Sequence, residues 1–218
     1  MKKYGCLLFD LDGTLTYSHP GIFACIRYAL ERMGRALPTE QILRACVGPS
    51  LLYSFENIFK MNEEDAKEAT AIYRERYARI GWSENAPIEG AKEMLEALKE
   101  AGYTLAVATG KPNLFADKIV EKFGFSPYLS TVVGCGIEEG VLPTKADVIG
   151  EVVKRLGVRK ENCLMIGDRK HDIEGARMVE MDSAGVDVGY AEEGELQAEN
   201  PTYYFKTLEE LKAFLLGG

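Results

Sequence analysis

The sequence predicts an α/β protein with a doubly wound parallel sheet and an inserted domain made only of helices. Two observations lead to this fold class. Short apolar segments typical of buried strands alternate with amphipathic helical patterns over most of the 218 residues. Between Asp12 and about Glu89, however, helical patterns follow one another without a strand-like segment. We therefore expect a parallel sheet covered by helices on both faces, with a helical insert after its first strand.

The predicted strands are short apolar runs bounded by polar or glycine residues. Four strong segments and two weaker ones are expected at residues 6–10, 103–109, 129–134, 163–167, 184–188 and 203–205. Between them, the helix that follows Gly90 repeats apolar residues at i, i+3 and i+4, and so does a second helix over residues 148–156. This alternation predicts helices that pack against the sheet.

The helical insert is predicted to contain four helices, over residues 20–33, 39–45, 51–59 and 62–81. Asn62 followed by Asp65 is the pattern of a helix N-cap with an acidic first turn. Proline and glycine in residues 16–21 and 82–90 indicate hinges between the insert and the sheet. We therefore predict a core domain of residues 1–16 and 88–218 and a helical domain of residues 17–87.

Composition excludes several classes of partner. The formal net charge of −8 and the pI of about 5.0 leave no basic excess for a nucleic acid polymer or an anionic membrane. No apolar run reaches membrane-spanning length and the apolar segment that ends at Asp10 is too short for a signal peptide, so we expect a cytoplasmic location. No heptad or large apolar stripe indicates an obligate protein partner. The five cysteines have no CxxC spacing, so we expect reduced thiols and no structural zinc.

Polar residues follow the predicted ends of three strands: Asp10 and Asp12, Thr109 and Gly110, and Asp168 and Asp172. Parallel strands place their carboxyl ends at one edge of the sheet, where ligands bind. Aspartate and threonine after a strand also serve as helix N-caps or turn residues. For Thr109 alone we favour that structural alternative, whereas for Asp10 and Asp168 together we favour a site.

Two carboxylates that meet at one edge would repel each other unless a hard divalent cation lay between them. An oxygen-only set of ligands suits Mg²⁺. Asp10, held beside that cation, could attack phosphorus as a nucleophile, and Asp12 could protonate the leaving alcohol. The chemistry predicted for this edge is therefore phosphoryl transfer.

Phosphoryl transfer also needs donors for the phosphoryl oxygens. The candidates are the Thr109 hydroxyl, the Gly110 amide and the ammonium group of Lys145. Lys145 opens a predicted helix, where the helix dipole does not favour a positive charge and where a bound anion would account for it. A solvent-exposed lysine is the alternative for this position.

Four separated motifs closely resemble those of the haloacid dehalogenase superfamily: DLDGT at residues 10–14, ATGK at residues 108–111, Lys145, and GDRKHD at residues 167–172. Their order and approximate spacing also agree. The helical insert directly after the first motif resembles the C1 cap of that superfamily, so the resemblance covers nearly the whole chain.

This resemblance implies a Rossmann-like core with the strand order 5-4-1-2-3. It further implies that Asp10 is the nucleophile and a Mg²⁺ ligand, and that Asp12 is the acid/base and a ligand through its backbone carbonyl. Asp168 corresponds to the remaining carboxylate ligand. Asp172 corresponds to a position that orients metal-bound waters or Lys145, and Thr109 and Lys145 correspond to phosphoryl-binding residues.

Asp12 also separates subclasses of the superfamily, because dehalogenases lack this residue whereas phosphatases and phosphomutases have it. HPGIFACIRYAL, VGPSLLYSF, TKADVI and GDRKHDIEGAR resemble the phosphoglycolate phosphatase-like group and, within it, the 5′-nucleotidase-like branch. The implied activity is Mg²⁺-dependent hydrolysis of a small phosphate monoester, such as phosphoglycolate or a nucleoside 5′-monophosphate, through an aspartyl-phosphate. A sugar-phosphate mutase and a non-catalytic binding protein are the alternatives.

Substrate specificity is expected to come from the helical insert. Gly48, Pro49 and Ser50 resemble a loop that such caps place on the substrate, although they could simply form a turn. Arg27 could contact a second anionic group, but an exposed helix arginine is the more common case. Lys111 follows Thr109 and Gly110 without forming a Walker A motif, because Leu105 and Pro112 occupy two of its defining positions.

Overall fold

The structure, a computed structural model, describes residues 3–136 and 141–217. The chain divides into two compact units. The core unit consists of Met1–Thr16 and Pro87–Gly218, and the helical unit consists of Tyr17–Ala86. The sequence predicted a helical domain of residues 17–87, which differs by one residue at its second boundary.

Eight strands are described: β1 (Cys6–Phe9), β2 (Thr16–Tyr17), β3 (Ala86–Pro87), β4 (Thr104–Pro112), β5 (Thr131–Cys135), β6 (Cys163–Gly167), β7 (Asp182–Val186) and β8 (Tyr203–Phe205). Six of them form one parallel sheet in the order β5-β4-β1-β6-β7-β8, and β2 pairs with β3 separately. The predicted order of the first five core strands is confirmed, and β8 extends the sheet beside β7.

The central strands are apolar because helices cover both of their faces. Every residue of β1 and β6 is buried. Leu8 of β1 lies between Ala106 and Met165 in the register of its two neighbours. These three residues belong to a core cluster that also contains Val148 and Ile149. The buried sheet therefore holds the ends of β1, β4 and β6 in fixed positions.

The described residues of the core unit form six α-helices: α5 (Ala91–Glu100), α6 (Asn113–Lys122), α7 (Lys145–Leu156), α8 (Lys170–Met178), α9 (Glu195–Ala198) and α10 (Leu208–Leu216). The predicted apolar faces of α5 and α7 are the buried ones. A capping box between Thr144 and Asp147 begins α7, which explains why Lys145 opens this helix. Gly157, with φ 62°, ends it.

The helical unit contains α1 (His19–Arg32), α2 (Glu40–Ala45), α3 (Leu51–Tyr53), which continues as a π-helical turn over Ser54–Ile58, and α4 (Glu63–Arg79). The predicted N-cap of α4 is confirmed, because Asn62 Oδ1 accepts a hydrogen bond from the Asp65 amide at 2.9 Å. Tyr73 and Tyr77 are buried and stacked at 5.4 Å, so they form part of the small core of this unit.

Four of the predicted strands have different bounds in the structure, and two of these differences have physical reasons. The predicted second core strand ended at Thr109, but β4 continues through an irregularity to Pro112. The strand predicted over residues 184–188 begins earlier, at Asp182. Asp182 pairs through its backbone with Leu164, while its carboxylate accepts a hydrogen bond from Tyr4 at 2.6 Å. The sequence pattern gives no indication of that partner for a charged residue.

All five cysteines are free thiols, as predicted, and Cys135 alone among them is only partly buried. Cys6 and Cys163 face each other in the register of β1 and β6. In the described parts of the chain, no helix combines the length and the apolar character needed to cross a membrane.

One ion pair in the helical unit gives a pH-dependent prediction. Arg76 donates two hydrogen bonds to Glu84, from Nη1 to Oε2 at 2.6 Å and from Nη2 to Oε1 at 3.0 Å. These bonds hold the pKa of Glu84 below its ordinary value. The ionised pair therefore stabilises the fold above the unfolded-state pKa of about 4.3, and this contribution is lost as the pH falls.

Glu84→Gln is expected to lower the free energy of unfolding by about 1 kcal/mol at pH 7, and by much less below about pH 4. Denaturant unfolding followed by the fluorescence of Trp82, the one tryptophan of the chain, measures this. Glu75→Gln is the matched control, because Glu75 is exposed and lies 3.9 Å from Arg79. An equal loss at both pH values would contradict the assignment of the effect to the charge of Glu84.

Candidate active site

The ends of three adjacent strands place the predicted site residues at one edge of the sheet. Asp10 directly follows β1, Thr109 lies near the end of β4, and Asp168 directly follows β6. Since β1 lies between β4 and β6, Asp10 is at the centre of this edge. The structure thus brings these three residues together, as expected for a parallel sheet.

Three buried carboxylates form the centre of the site. One carboxylate oxygen from each of Asp10, Asp168 and Asp172 lies within 4.8 Å of the other two. Asp172 reaches this position from the first turn of α8. From the sequence, Asp172 was predicted to orient waters or Lys145; its carboxylate lies in the acidic cluster with Oδ1 2.7 Å from Lys145 Nζ, a position that fits the second of these roles.

Lys145 supplies positive charge to this cluster. Its Nζ donates to Asp10 Oδ1 at 2.7 Å and to the Ala108 carbonyl at 3.1 Å. Asp172 Oδ1 also lies 2.7 Å from Nζ, but its geometry is that of an ion pair rather than of a hydrogen bond. Only 10% of the Lys145 side chain is exposed, so the alternative of a solvent-exposed lysine is wrong.

The charged side chains of this cluster shift one another's pKa values. Burial acts to lower the pKa of Lys145, but the negative charges of Asp10 and Asp172 outweigh it and raise that pKa above its ordinary value. Burial raises the pKa of Asp172 to about 6 against the opposing effect of Lys145. Lys145 contacts two of the three carboxylates, Asp10 and Asp172, so its single charge does not balance the cluster.

Asp168 is held by two donors. Its Oδ1 accepts a hydrogen bond from the Thr14 hydroxyl at 3.0 Å, and its Oδ2 accepts one from the Tyr190 amide at 2.8 Å. Burial, followed by the charges of Asp10 and Asp172, raises the pKa of Asp168 well above its ordinary value. These contacts fix the carboxyl group in place, and neither of the two donors carries a positive charge.

Neither donor to Asp168 was identified from the sequence. Thr14 belongs to the DLDGT motif, and this motif is the sequence signal that could have identified Thr14 as a site residue. Tyr190 acts through its backbone amide, for which the residue type gives no signal. Gly189, beside it, is also essential to the packing, because a Cβ there would lie 2.1 Å from Asp168 Oδ2.

The end of β4 forms the candidate phosphate-binding segment. Thr109 is buried, and its Oγ1 accepts a hydrogen bond from the Lys111 amide at 3.2 Å. Gly110 is exposed and its Cα faces open space. The Gly110 carbonyl accepts a hydrogen bond from Cys135 Sγ at 2.9 Å. This segment thus presents a hydroxyl and an accessible backbone at the same edge as Asp10.

Asp12 forms an ion pair that the sequence did not predict. Its Oδ2 lies 2.7 Å from Lys111 Nζ, and only 4% of the Lys111 side chain is exposed. Lys111 belongs to the ATGK motif, but no role was predicted for its side chain. The Asp12 carboxylate is therefore engaged outside the acidic cluster, while the predicted metal contact of Asp12 was through its backbone carbonyl.

The other predicted residues lie in the helical unit. Gly48 has φ +109° and is exposed, Pro49 follows it, and the Ser50 hydroxyl caps α3 by accepting a hydrogen bond from the Tyr53 amide at 3.2 Å. Arg27 is half-buried on α1. Their part in specificity stays a prediction.

The site fits a divalent cation. Its donors are buried carboxylate oxygens from three residues, and the one ammonium group among them leaves an excess of negative charge. Oxygen donors of this kind suit a hard cation such as Mg²⁺.

Known proteins resemble this chain over nearly its whole length. A model of the haloacid dehalogenase-like hydrolase family matches residues 7–186. A 5′-nucleotidase from Pseudomonas aeruginosa is 39% identical over 213 residues, covering 98% of this chain and 96% of the relative. The tyrosine-protein kinase PtkA of Mycobacterium tuberculosis is 33% identical over 212 residues, covering 96% of this chain and 72% of the relative.

Solved structures show the same similarity. A predicted phosphatase from Clostridium acetobutylicum superposes with a TM-score of 0.92 at 35% identity, covering 99% of both chains. Phosphoglycolate phosphatases are among the more distant relatives, at 28% to 29% identity.

The fold and the site together define the class of protein as a phosphatase-type hydrolase on a Rossmann-like sheet. The chain belongs to the haloacid dehalogenase-like hydrolase family. The resemblance stated from the four sequence motifs is thereby confirmed.

Proposed function

We propose that the protein is a Mg²⁺-dependent phosphatase that hydrolyses a small phosphate monoester through an aspartyl-phosphate intermediate. The observation that carries this proposal is the setting of Asp10. Its buried carboxylate contacts the ammonium group of Lys145 and lies close to two further carboxylates, at the carboxyl edge of a parallel sheet. A carboxylate held in this way is suited to nucleophilic attack on phosphorus.

In the first step, an oxygen of Asp10 bonds to phosphorus while the bond from phosphorus to the leaving alcohol oxygen breaks. The electron pair of the broken bond stays on that oxygen, which takes a proton from Asp12. In the second step, a water attacks phosphorus and gives a proton to Asp12, and the bond between Asp10 and phosphorus breaks. Inorganic phosphate leaves, and both aspartates return to their starting states.

Three groups are proposed to bind the phosphoryl oxygens. They are the Thr109 hydroxyl, the Gly110 amide and the Lys145 ammonium group. Lys145 already contacts Asp10, so it holds the nucleophile and faces the charge of the substrate together. Groups that are fixed before the reaction need little reorganisation when charge develops.

The residues proposed to hold Mg²⁺ are Asp10 and Asp168 through their carboxylates and Asp12 through its backbone carbonyl, with Asp172 adjacent. The ion would reduce the repulsion between the anionic substrate and these carboxylates. Thr14 and the Tyr190 amide hold Asp168 in the orientation in which it would bind.

Phosphoglycolate and nucleoside 5′-monophosphates are the substrate types we propose. The names of relatives support this choice, since one is a 5′-nucleotidase and others are phosphoglycolate phosphatases. We also propose that the helical unit acts as a cap, and that Gly48, Pro49, Ser50 and Arg27 take part in choosing the substrate.

Phosphate release from a panel of esters tests the proposal. The panel contains phosphoglycolate, nucleoside monophosphates, sugar phosphates and pyridoxal phosphate, each with Mg²⁺ and with EDTA. Release is expected with Mg²⁺, and EDTA is expected to reduce it by more than about 100-fold, because three carboxylates would then face the substrate with one lysine. Added Mg²⁺ is expected to restore the rate.

Other outcomes would contradict the proposal in distinct ways. Isomerised sugar phosphate without free phosphate would identify a phosphomutase. Binding of an ester without turnover would identify a non-catalytic binding protein. Full release in EDTA would refute the requirement for a metal ion while keeping the phosphatase activity.

A further inference from the structure

We propose that Lys111 is a positioning residue for the proton transfer that Asp12 carries out. In this proposal, the Lys111 ammonium group holds Asp12 Oδ2, and Asp12 Oδ1 is the atom that exchanges the proton with the substrate. The inference rests on the proposed function, because it assigns one oxygen of Asp12 to a step of that reaction.

The two oxygens of the Asp12 carboxylate have different surroundings. Oδ2 lies 2.7 Å from Lys111 Nζ. Oδ1 is buried and accepts no hydrogen bond from any residue in the described parts of the chain. A buried carboxylate oxygen without a donor is energetically costly, so such atoms commonly mark a functional role. In our proposal, Oδ1 gives its proton to the leaving alcohol oxygen in the first step, and the attacking water donates a proton to the same atom in the second step.

A bulge at the end of β4 directs Lys111 toward Asp12. Thr109 pairs with Gly134 in the parallel register, and the next pair joins Pro112 to Cys135. Gly110 and Lys111 are thus two additional residues on β4. Bulges of this kind redirect side chains and occur frequently beside active sites. A regular strand would not have carried the Lys111 side chain to the same place.

Neighbouring groups fix this bulge on both sides. The Lys111 amide donates to Thr109 Oγ1 at 3.2 Å, and Cys135 Sγ donates to the Gly110 carbonyl at 2.9 Å. Gly134 lies directly against the bulge, since a Cβ at this position would be 2.2 Å from the Lys111 carbonyl oxygen. These contacts restrict the Lys111 backbone, so the position of its Cα is fixed relative to Thr109 and Gly134.

The bulge also connects the two halves of the site. The Lys111 amide occupies a lone pair of the Thr109 hydroxyl, so the proton of that hydroxyl is available for a phosphoryl oxygen. The Lys111 side chain simultaneously holds Asp12. One segment thus orients the group that binds the phosphoryl oxygens and the group that transfers the proton.

The dependence of the rate on the leaving group tests the inference. An alkyl alcohol needs a proton as it leaves, whereas p-nitrophenol and acetate do not. Lys111→Met is expected to lower kcat by about 100-fold on the best alkyl ester of the panel and by less than about 5-fold on p-nitrophenyl phosphate or acetyl phosphate. Asp12→Asn is expected to show the same selectivity, and Lys111→Arg is expected to recover part of the alkyl-ester rate.

Two further variants distinguish this positioning role from a general loss of activity or folding. Lys154→Met, at an exposed lysine of α7, is expected to leave both rates unchanged. Gly134→Ala keeps the charge of Lys111 but displaces its backbone, so the same selective loss on alkyl esters is expected. Thermal unfolding of each variant shows whether the fold is kept.

The inference would be overturned if Lys111→Met lowered kcat equally on alkyl esters and on the activated substrates, or if it changed only KM. Either result would leave the proposed function in place. Undiminished turnover of alkyl esters by Lys111→Met would overturn the inference as well. A wild-type chain that is inactive on both kinds of substrate would instead overturn the proposed function, and the inference with it.

Discussion

Replacement of Asp10 with asparagine is expected to lower kcat by more than about 10⁴-fold on every ester that the wild-type chain hydrolyses. The amide cannot act as the nucleophile, so the aspartyl-phosphate cannot form. The variant also loses the charge that Lys145 contacts at 2.7 Å. Phosphate release at saturating ester and Mg²⁺ measures the effect, and mass spectrometry of the quenched wild-type enzyme detects a phosphorylated peptide that contains Asp10.

Asp187→Asn is the matched control for this substitution. Asp187 is exposed, accepts a hydrogen bond from the Tyr204 hydroxyl at 2.8 Å and is not one of the three carboxylates of the acidic cluster. Its replacement is expected to leave kcat unchanged. If Asp10→Asn retained full turnover, Asp10 would not be the nucleophile. If Asp10→Asn lost its fold, the loss of activity alone would not identify the nucleophile, and the phosphopeptide would decide.

Replacement of Gly13 with alanine is expected to have the second large effect. Gly13 has φ +93°, a conformation that costs a residue with a Cβ about 1–2 kcal/mol. The added Cβ would also lie 2.2 Å from Asp168 Oδ2, and this buried carboxylate is itself fixed by Thr14 and Tyr190. We expect the free energy of unfolding to fall by more than about 2 kcal/mol and the Mg²⁺-dependent activity to fall by more than about 100-fold.

Gly150→Ala is the control, and it is expected to change the free energy of unfolding in the opposite direction. Gly150 lies on the exposed side of α7, and a Cβ there meets nothing within 4 Å. Alanine is expected to raise the free energy of unfolding by about 0.5–1 kcal/mol, because it favours the helix and reduces the entropy of the unfolded chain. Denaturant unfolding compares the two variants. A Gly13→Ala variant as stable and active as the wild type would show that Asp168 can move without consequence.

Local patterns in the sequence predicted the fold class but not every element. Alternating apolar strands and amphipathic helices were sufficient for a covered parallel sheet. The order of the strands came from the resemblance of four motifs, because periodicity does not report which strands are neighbours. Asp182 lies in β7 although it is charged, because its carboxylate accepts a hydrogen bond from Tyr4. Tyr4 is far away in the sequence, so local patterns could not indicate this partner.

The site could be predicted where side chains follow strand ends. Asp10, Thr109 and Asp168 were found in this way, because the topology of a parallel sheet brings such positions together. The contact between Lys111 and Asp12 could not be found, since it depends on a bulge that disturbs the strand register. The Tyr190 amide could not be found either, because every residue type except proline carries that donor.

The position of β1 in the sheet has a consequence for the order in which the chain assembles. Cys6 of β1 pairs with Thr104 on one side and with Cys163 on the other, so β1 is synthesised well before the two strands that it pairs with. The contacts within the helical unit are shorter in sequence, and we expect this unit to fold before the sheet does. The three clustered carboxylates are consequently kept apart in the nascent chain, and their mutual repulsion arises only when β6 docks beside β1. A divalent cation that binds these carboxylates would therefore stabilise the docked state of β6, and metal supply would affect the yield of folded protein as well as its turnover.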